Sequence, residues 1–253
     1  MELHPDDPRF DPATQARIDR SRLMRALNFS LALVLLLAIV YSAQGSFDVR
    51  AFAVSPLTAS GLLGLLTAPL LHGSLEHIAA NATALLMLGT LSGSVYPRAT
   101  LRALPLAWLG SGIGAWLLGD AGSFHLGASG LTHGLMFMVF MLGVLRRDRP
   151  AIAAGMIAFF FYGGMLLTVL PREPGISWQA HLGGAVAGLL AALLFSKLDP
   201  PLPRKRYSWE DEAEVVPLDG ELEPPAPREV PVLWNRSPEE DQRGTVLKFP
   251  PRE

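Results

Sequence analysis

The chain has 253 residues, half of which are hydrophobic, and its formal net charge is −2. A charge so close to zero gives no overall field that would favour nucleic acid or an acidic ligand as a partner. The chain contains no cysteine, which excludes disulfides, thiolate metal sites and a cysteine nucleophile. Any nucleophilic catalysis must therefore use another residue type.

Long apolar runs follow a polar segment at residues 1–26. A helix needs roughly 20 apolar residues to cross the hydrocarbon core of a bilayer, with a usable range of about 17–25. We therefore predict an all-α protein of the lipid bilayer, with a bundle of six transmembrane helices over residues 27–198. The predicted spans are residues 27–43, 74–95, 101–118, 126–145, 151–170 and 178–198.

The connection before the second span, from Ser46 to about Ser74, is partly apolar. Its apolar piece, residues 61–71, is too short to cross a bilayer alone, so we expect a re-entrant or interfacial connection. Residues 27–43 also imitate a secretory signal peptide. The long leader of mixed charge before them favours an uncleaved first span instead.

Lys and Arg are distributed unevenly between the two sets of predicted loops. If the N-terminus is cytoplasmic, only Arg50 and Arg172 lie in outer loops, and the other basic residues between positions 9 and 206 lie on inner flanks. Because cytoplasmic loops carry an excess of Lys and Arg, both termini are predicted to be cytoplasmic.

The two ends of the chain differ in composition from the apolar region. Residues 1–26 are charged and contain Pro5, Pro8 and Pro12, which argue against regular structure there. Residues 199–253 are rich in proline and carry an acidic cluster at positions 210–214. Such a segment buries too little apolar surface to offset its ordering entropy, so we predict a disordered cytoplasmic tail.

Four polar residues stand out inside the predicted spans, because polar groups there are costly and often functional. They are His77 and Asn81 on span 2, Ser129 on span 4 and His181 on span 6. His77 and Asn81 are four residues apart and so share a helical face. Spans 2, 4 and 6 all enter from the predicted outer side, which places the four residues at one depth.

These four residue types support acyl transfer. Serine is a weak nucleophile until a neighbouring base takes its proton, and histidine is the usual base near neutral pH. Ser129 and His181 fit these two roles. The oxyanion of a tetrahedral intermediate also needs fixed donors, which the His77 imidazole, the Asn81 amide and the Ser129 backbone N–H would supply.

Small residues surround the serine and the histidine. Span 4 carries Gly127, Gly130 and Gly134, and span 6 carries Gly184 and Gly188 in a GxxxG spacing. Glycines at such spacing let two membrane helices approach closely. We expect them to bring Ser129 and His181 together.

Three motifs together resemble the rhomboid family of intramembrane serine proteases. Gly127-Ala128-Ser129-Gly130 matches the family's GxSG, which alone is a weak signal. His181-x-x-Gly184-x-x-x-Gly188 on the last span and His77-x-x-x-Asn81 on the second match in the same order. The resemblance covers residues 55–198.

The resemblance implies a Ser–His dyad without an acidic third member, in which Ser129 attacks and His181 is the base. It implies transmembrane proteins as substrates, no cofactor, a partly embedded first loop, and a substrate gate made of span 5 and residues 171–177. It also implies a six-span protein of bacterial type, in the bacterial inner membrane. The oligomeric state stays open.

His133 stands where the family usually has an aromatic residue that packs on the dyad histidine. It lies four residues after Ser129 and is an alternative base, although two groups on one helix converge on a third atom less well than groups on facing helices. We expect His72 and His125 to be interfacial. A metal site among these histidines has no HExxH or carboxylate–histidine spacing to support it.

Two other classes of function compete with the protease. A rhomboid-like protein without activity would bind transmembrane helices and escort them, but it would not need the dyad. A channel or transporter is expected to carry paired charges at mid-membrane or a discontinuous helix. The predicted spans 1, 3 and 5 have no ionisable side chain at mid-membrane.

Overall fold

The computed structural model describes residues 12–171 and 175–200. Within them the chain is mostly helical, and its β-pairing is limited to an isolated bridge between Val54 and His125. Short helical turns lie within residues 44–70 and at Met165–Thr168. The long helices of the described residues are α1 (Pro12–Ala43), α2 (Leu75–Val95), α3 (Pro97–Leu118), α4 (Ser129–Arg146), α5 (Arg149–Tyr162) and α6 (Trp178–Phe195).

Five of the described helices are long and apolar enough to cross a membrane, and these are α1, α2, α3, α4 and α6. The helix α5 has 14 residues, which at 1.5 Å per residue is about 21 Å. A bilayer core is about 30 Å thick. The all-α membrane fold is thus confirmed, whereas the sixth crossing stays a prediction.

Several helices begin or end away from the predicted positions. The helix α1 begins at Pro12, so proline does not exclude regular structure there, because it is tolerated in the first turn of a helix. The predicted span 5 is broken, since α5 ends at Tyr162 and a short helix, Met165–Thr168, follows a Gly163-Gly164 pair. Most of the predicted disordered tail, residues 201–253, lies outside the described residues.

The connection between α1 and α2 consists of short helical turns that are anchored to α3. The indole N–H of Trp108 donates to the Leu66 carbonyl at 3.1 Å, and that of Trp116 donates to the Thr58 carbonyl at 3.0 Å. These bonds satisfy carbonyls that irregular backbone would otherwise leave without partners in an apolar environment.

The helices α4 and α6 meet through their glycines. A Cβ added to Gly184 would lie 1.9 Å from the Gly130 carbonyl oxygen, and one added to Gly188 would lie 2.1 Å from the Gly134 carbonyl oxygen. Only residues without a side chain allow two backbones to lie this close. The contact fixes the start of α4 against the start of α6, where Ser129 and His181 are found.

Candidate active site

Ser129 and His181 are in direct contact. The Ser129 hydroxyl lies 2.8 Å from Nε2 of His181, and Nδ1 of His181 lies 3.0 Å from the Thr168 carbonyl oxygen. A carbonyl oxygen only accepts, so Nδ1 carries the proton of the neutral ring and Nε2 is left as an acceptor. This tautomer is the one that can take a proton from the serine.

The backbone before Ser129 aims its side chain at His181. Gly127 has φ of +114°, a conformation that side chains rarely adopt, and its N–H donates to the Ala68 carbonyl at 2.9 Å. The helix α4 then begins at Ser129, and Ala128 offers no side-chain cap. The first N–H groups of a helix have no partner within the helix, so the free donors of the first turn of α4 start at Ser129.

His77 and Asn81 lie against the same glycine. A Cβ added to Gly127 would be 2.6 Å from Nε2 of His77 and 3.7 Å from Nδ2 of Asn81. The Ser74 hydroxyl caps α2 by accepting from the His77 N–H at 3.1 Å, which fixes His77 in the first turn. The four residues predicted from the sequence, His77, Asn81, Ser129 and His181, line one cavity of about 1140 Å³.

The side chains of His77 and Asn81 can each donate a hydrogen bond. The Gly73 N–H points at Nδ1 of His77 at 3.4 Å, which leaves the proton of the neutral ring on Nε2, the atom beside Gly127. The Asn81 amide donates one hydrogen to the His77 carbonyl at 3.0 Å and keeps a second. The arrangement can therefore direct two side-chain donors towards the start of α4.

His133 packs flat on His181. The two rings are 3.9 Å apart between centroids, with 13° between their planes. Nδ1 of His133 is 2.6 Å from the Ser129 carbonyl oxygen and Nε2 is 2.8 Å from the Thr168 hydroxyl. Both ring nitrogens are thus engaged away from the Ser129 hydroxyl, which contacts Nε2 of His181 instead.

Thr168 is a member of the site that the sequence reasoning missed. It lies in the short helix after α5, and it contacts His181 through its carbonyl and His133 through its hydroxyl. A backbone carbonyl leaves no trace in residue type. Only the polar Thr168 among the apolar residues 165–170 could have pointed to it.

His72 is buried, so the expectation that it is interfacial is wrong. It is 1% exposed, and its ring meets the His77 ring edge to face with 5.0 Å between centroids. Neither ring nitrogen has a hydrogen-bond partner among the described residues. Burial, followed by the charge of His77, lowers the pKa of His72 to about 4.

His125 holds together two connections beside the cavity. Its ring nitrogens lie 2.9 Å from the Ser123 hydroxyl and 2.7 Å from the Ser177 hydroxyl, and its backbone pairs with Val54 in both directions. Burial lowers the pKa of His125 below its usual value. Within residues 12–171 and 175–200, no three side chains of the His, Cys, Asp and Glu types converge as metal ligands.

Comparison with known proteins gives a consistent set of matches. The family model described as "Rhomboid domain" matches residues 59–198. An uncharacterized protein of Mycobacterium tuberculosis is 38% identical over 175 residues, which cover 66% of this chain and 72% of the relative. A protein of Acanthamoeba polyphaga mimivirus, provisionally named a rhomboid protein, is 24% identical over 182 residues, covering 69% and 91% of the two chains.

Proposed function

This chain belongs to the rhomboid family of membrane proteins, and on that premise we propose that it is an intramembrane serine endopeptidase. The observation that carries the proposal is the contact between the Ser129 hydroxyl and Nε2 of His181, with Nδ1 held by the Thr168 carbonyl. Nucleophile, base and a group that orients the base are the three parts that serine catalysis needs.

The proposed reaction begins when the Ser129 oxygen attacks the carbonyl carbon of a substrate peptide bond. Its proton passes to Nε2 of His181, and the Thr168 carbonyl stabilises the resulting imidazolium through Nδ1. His77, Asn81 and the Ser129 backbone N–H donate to the oxyanion. His181 then protonates the leaving amine, and an acyl-enzyme on Ser129 remains.

Water completes the reaction, with His181 acting again as the base. The cavity suits this step because polar groups line it beside the dyad, among them Ser74, Asp120 and Ser123. The site also lies at the ends of α2, α4 and α6 and not at their middles. Such a position allows water to reach a nucleophile that is carried by membrane helices.

We propose transmembrane proteins as the substrates, with the cut inside or beside a membrane segment. A peptide bond within a helix is shielded by the helix's own hydrogen bonds. Substrates are therefore expected to carry glycine or other small, helix-destabilising residues near the cut. The family gate, made of span 5 (residues 151–170) and residues 171–177, would be the route by which such a segment enters.

The proposal includes an arrangement in the membrane. Both termini are cytoplasmic in the bacterial inner membrane, and the Ser129 end of the bundle faces outwards, because Arg98, Arg102 and Arg146 lie at the other end. The membrane domain covers residues 27–198, between the N-terminal segment and a cytoplasmic tail from residue 199.

The test is cleavage of a model single-span substrate by the purified protein in liposomes. Ser129→Ala and His181→Ala should each lower the cleavage rate by about 10³-fold or more. Ser42→Ala is the matched control, since the Ser42 hydroxyl only bonds its own helix at the Ala38 carbonyl. Equal cleavage by all four proteins would reject the protease.

A serine-directed fluorophosphonate gives a second readout. It should label the wild type and not Ser129→Ala, and His181→Ala should be labelled much more slowly because the serine is no longer activated. Binding of the substrate without cleavage or labelling, by a protein that is folded, would favour the non-enzymatic rhomboid-like class instead.

A further inference from the structure

A second cavity lies at the opposite end of the bundle from the Ser129–His181 pair. Its volume is about 440 Å³, and it is lined by the first half of α1, the end of α2 and the start of α3. The start of α2 carries His77 and the end carries Gly93, so the length of that helix separates the two cavities. The proposed protease does not use this second cavity.

Two glycines near the end of α2 make room for the cavity. A Cβ on Gly89 would lie 2.5 Å from the Ser30 hydroxyl oxygen, and one on Gly93 would lie 3.0 Å from the Ala26 Cβ. The helices α1 and α2 therefore pack closely through Gly89 and Gly93. Both glycines also line the cavity, and neither fills it with a side chain.

Three arginines line this cavity, and they are Arg22, Arg25 and Arg98. None of the three forms an ion pair with a carboxylate of the described residues. The ion pair found among those residues joins Arg146 to Asp148, outside this cavity. Within residues 12–171 and 175–200, the Arg25 side chain donates only to the Ser21 carbonyl and the Arg98 side chain only to the Leu198 carbonyl. Because a guanidinium has five N–H donors, most of these donors remain available.

Asp199 is the carboxylate beside Arg98, and it is already engaged. Its two oxygens accept from the backbone N–H groups of Arg98 and Ala99, at 3.1 and 2.9 Å. It thereby caps the start of α3 and does not neutralise an arginine of the cavity through an ion pair. The cavity keeps a net positive charge.

The same cavity has an apolar side. Phe29 is 44% exposed and Leu101 is 60% exposed, and both line the cavity together with the arginines. Thr100, also in the lining, is 5% exposed and its hydroxyl has no hydrogen-bond partner among the described residues. Cations, a hydroxyl and open apolar side chains thus meet where the end of α2 and the start of α3 lie against the middle of α1.

We propose that this cavity binds an anionic phospholipid. The phosphate is held by Arg22, Arg25 and Arg98, whose planar guanidinium groups match phosphate oxygens in pairs. The acyl chains run along Phe29 and Leu101 towards the membrane interior. Basic pockets between membrane helices bind anionic headgroups in this way.

A lipid fits the cavity better than a free phosphate ion does. A soluble anion would use the arginines and leave Phe29 and Leu101 uncovered, whereas a phospholipid covers both sides. A lipid is also present at this depth wherever the protein is, because the cavity lies at the helix ends, where headgroups are found.

The experiment measures binding of short-chain phosphatidylglycerol to the purified full chain in a neutral detergent, by native mass spectrometry. Short-chain phosphatidylcholine, glycerol phosphate and inorganic phosphate are tested in parallel. Phosphatidylglycerol should bind, and each substitution Arg22→Gln, Arg25→Gln or Arg98→Gln should weaken it about fivefold, the effect of one basic residue near a membrane surface. Arg20→Gln is the matched control, because Arg20 lies on α1 outside the cavity and should leave binding unchanged.

Three results would overturn the proposal. Equal binding of phosphatidylglycerol and phosphatidylcholine would remove the role of charge. Glycerol phosphate or inorganic phosphate bound as tightly as the lipid would make this a site for a soluble anion. Unchanged lipid binding by the Arg22→Gln/Arg25→Gln double variant, with an unchanged melting temperature in neutral detergent, would place the lipid elsewhere.

Discussion

The helices α4 and α5 follow one another in the chain and pack together, yet they are built differently. The helix α4 is continuous for 18 residues, and large side chains such as Leu135 and Met138 are fully buried. The helix α5 buries only small residues, among them Ala154 and Ala158, while Phe160 is 85% exposed. In the membrane, α5 thus presents its large apolar side chains to lipid.

Under the proposed function, this difference in packing corresponds to two tasks. The helix α4 holds the reacting groups in place, and α5 lets the substrate enter. Catalytic groups need geometry that is held by packing, and α4 carries Ser129 within the best-packed part of the molecule. An element that admits a substrate must move at low cost, and few buried contacts make that possible. The two parts meet at Thr168, just after α5, whose carbonyl orients His181.

The largest expected effect comes from adding a methyl group at the close contact between α4 and α6. In Gly184→Ala the new methyl group would lie 1.9 Å from the Gly130 carbonyl oxygen, so α6 must move away from α4. Overpacking of this kind costs about 3 kcal/mol. We expect loss of folded protein or a large fall in melting temperature in detergent, together with loss of cleavage.

Gly164→Ala is the matched control in the less tightly packed segment after α5. No atom lies within 4 Å of the added Cβ, and the residue has helical angles, with φ of −56°. Alanine should stabilise this segment by up to about 1 kcal/mol. If Gly164→Ala destabilised the protein as much as Gly184→Ala does, the two regions would not differ in packing.

The second prediction concerns the donors around the nucleophile. Asn81→Ala should lower kcat by about 10²-fold, as the loss of one oxyanion donor does, while the melting temperature changes little. Thr83→Val is the control on the same helix, because the exposed Thr83 hydroxyl only bonds the Ala79 carbonyl. A loss of folded Asn81→Ala protein, with normal turnover by the remainder, would mean that Asn81 serves packing instead.

The all-α fold of the membrane region was largely predictable, because long apolar runs carry the signal. The position of the polar residues along spans 2, 4 and 6 was also sufficient to bring Ser129, His181, His77 and Asn81 into one cavity. The residues at which helices begin and end were harder to predict. The break in span 5 follows from Gly163-Gly164, whose effect is hidden by the apolar residues on both sides.

Two parts of the site could not be read from the sequence, for different reasons. Thr168 contributes a carbonyl, and every residue has one. His72 is polar and precedes α2, which suggests an interface, but the connection between α1 and α2 folds over it. Gln44 makes this possible, since its amide bonds the His72 backbone on both sides, at 2.7 and 2.8 Å. Contacts over 28 residues carry no local sequence signal.

The third prediction uses buried His72 as a probe of the packing of the connection between α1 and α2. The pKa of His72 is lowered to about 4 in the folded protein from 6.5, so the unfolded chain binds the proton more tightly. The stabilising contribution of neutral His72 is complete above pH 6.5, falls as the pH drops below it, and is lost below about pH 4. The expected loss is about 2–3 kcal/mol.

Melting temperature measured from pH 7.5 to pH 4 tests this. The wild type should lose stability over that range more steeply than His72→Gln, which cannot bind the proton. His125→Gln is the comparison. Burial also lowers the pKa of His125, but without the contact with His77, so its curve should flatten less than that of His72→Gln. Parallel curves for wild type and His72→Gln would show that His72 is not protonated on unfolding in this range.

The smallest expected effect concerns His133, which connects α4 with the short helix after α5. His133 carries a ring stacked on His181 and a hydrogen bond to the Thr168 hydroxyl. His133→Phe keeps the stack and loses this bond as well as the one from Nδ1 to the Ser129 carbonyl oxygen. It should lower kcat about threefold, since a neutral hydrogen bond contributes about 1 kcal/mol or less. His133→Ala also loses the stack, which is worth about 0.5–1.5 kcal/mol, and should be slower by about tenfold.

Thr168→Val decides which of the two contacts matters. It removes the same hydroxyl bond as His133→Phe from the other side and leaves the Thr168 carbonyl on His181. If the bond to the Thr168 hydroxyl carries the whole effect of His133→Phe and the bond to the Ser129 carbonyl adds nothing to turnover, Thr168→Val and His133→Phe should slow turnover equally. The double variant should then be no slower than either. Normal turnover by Thr168→Val beside a slow His133→Ala would assign the whole effect to the stacked ring. The site would then be held by α4 and α6, whereas α5 and the short helix after it would contribute access and, through the carbonyl of Thr168, one group to the chemistry.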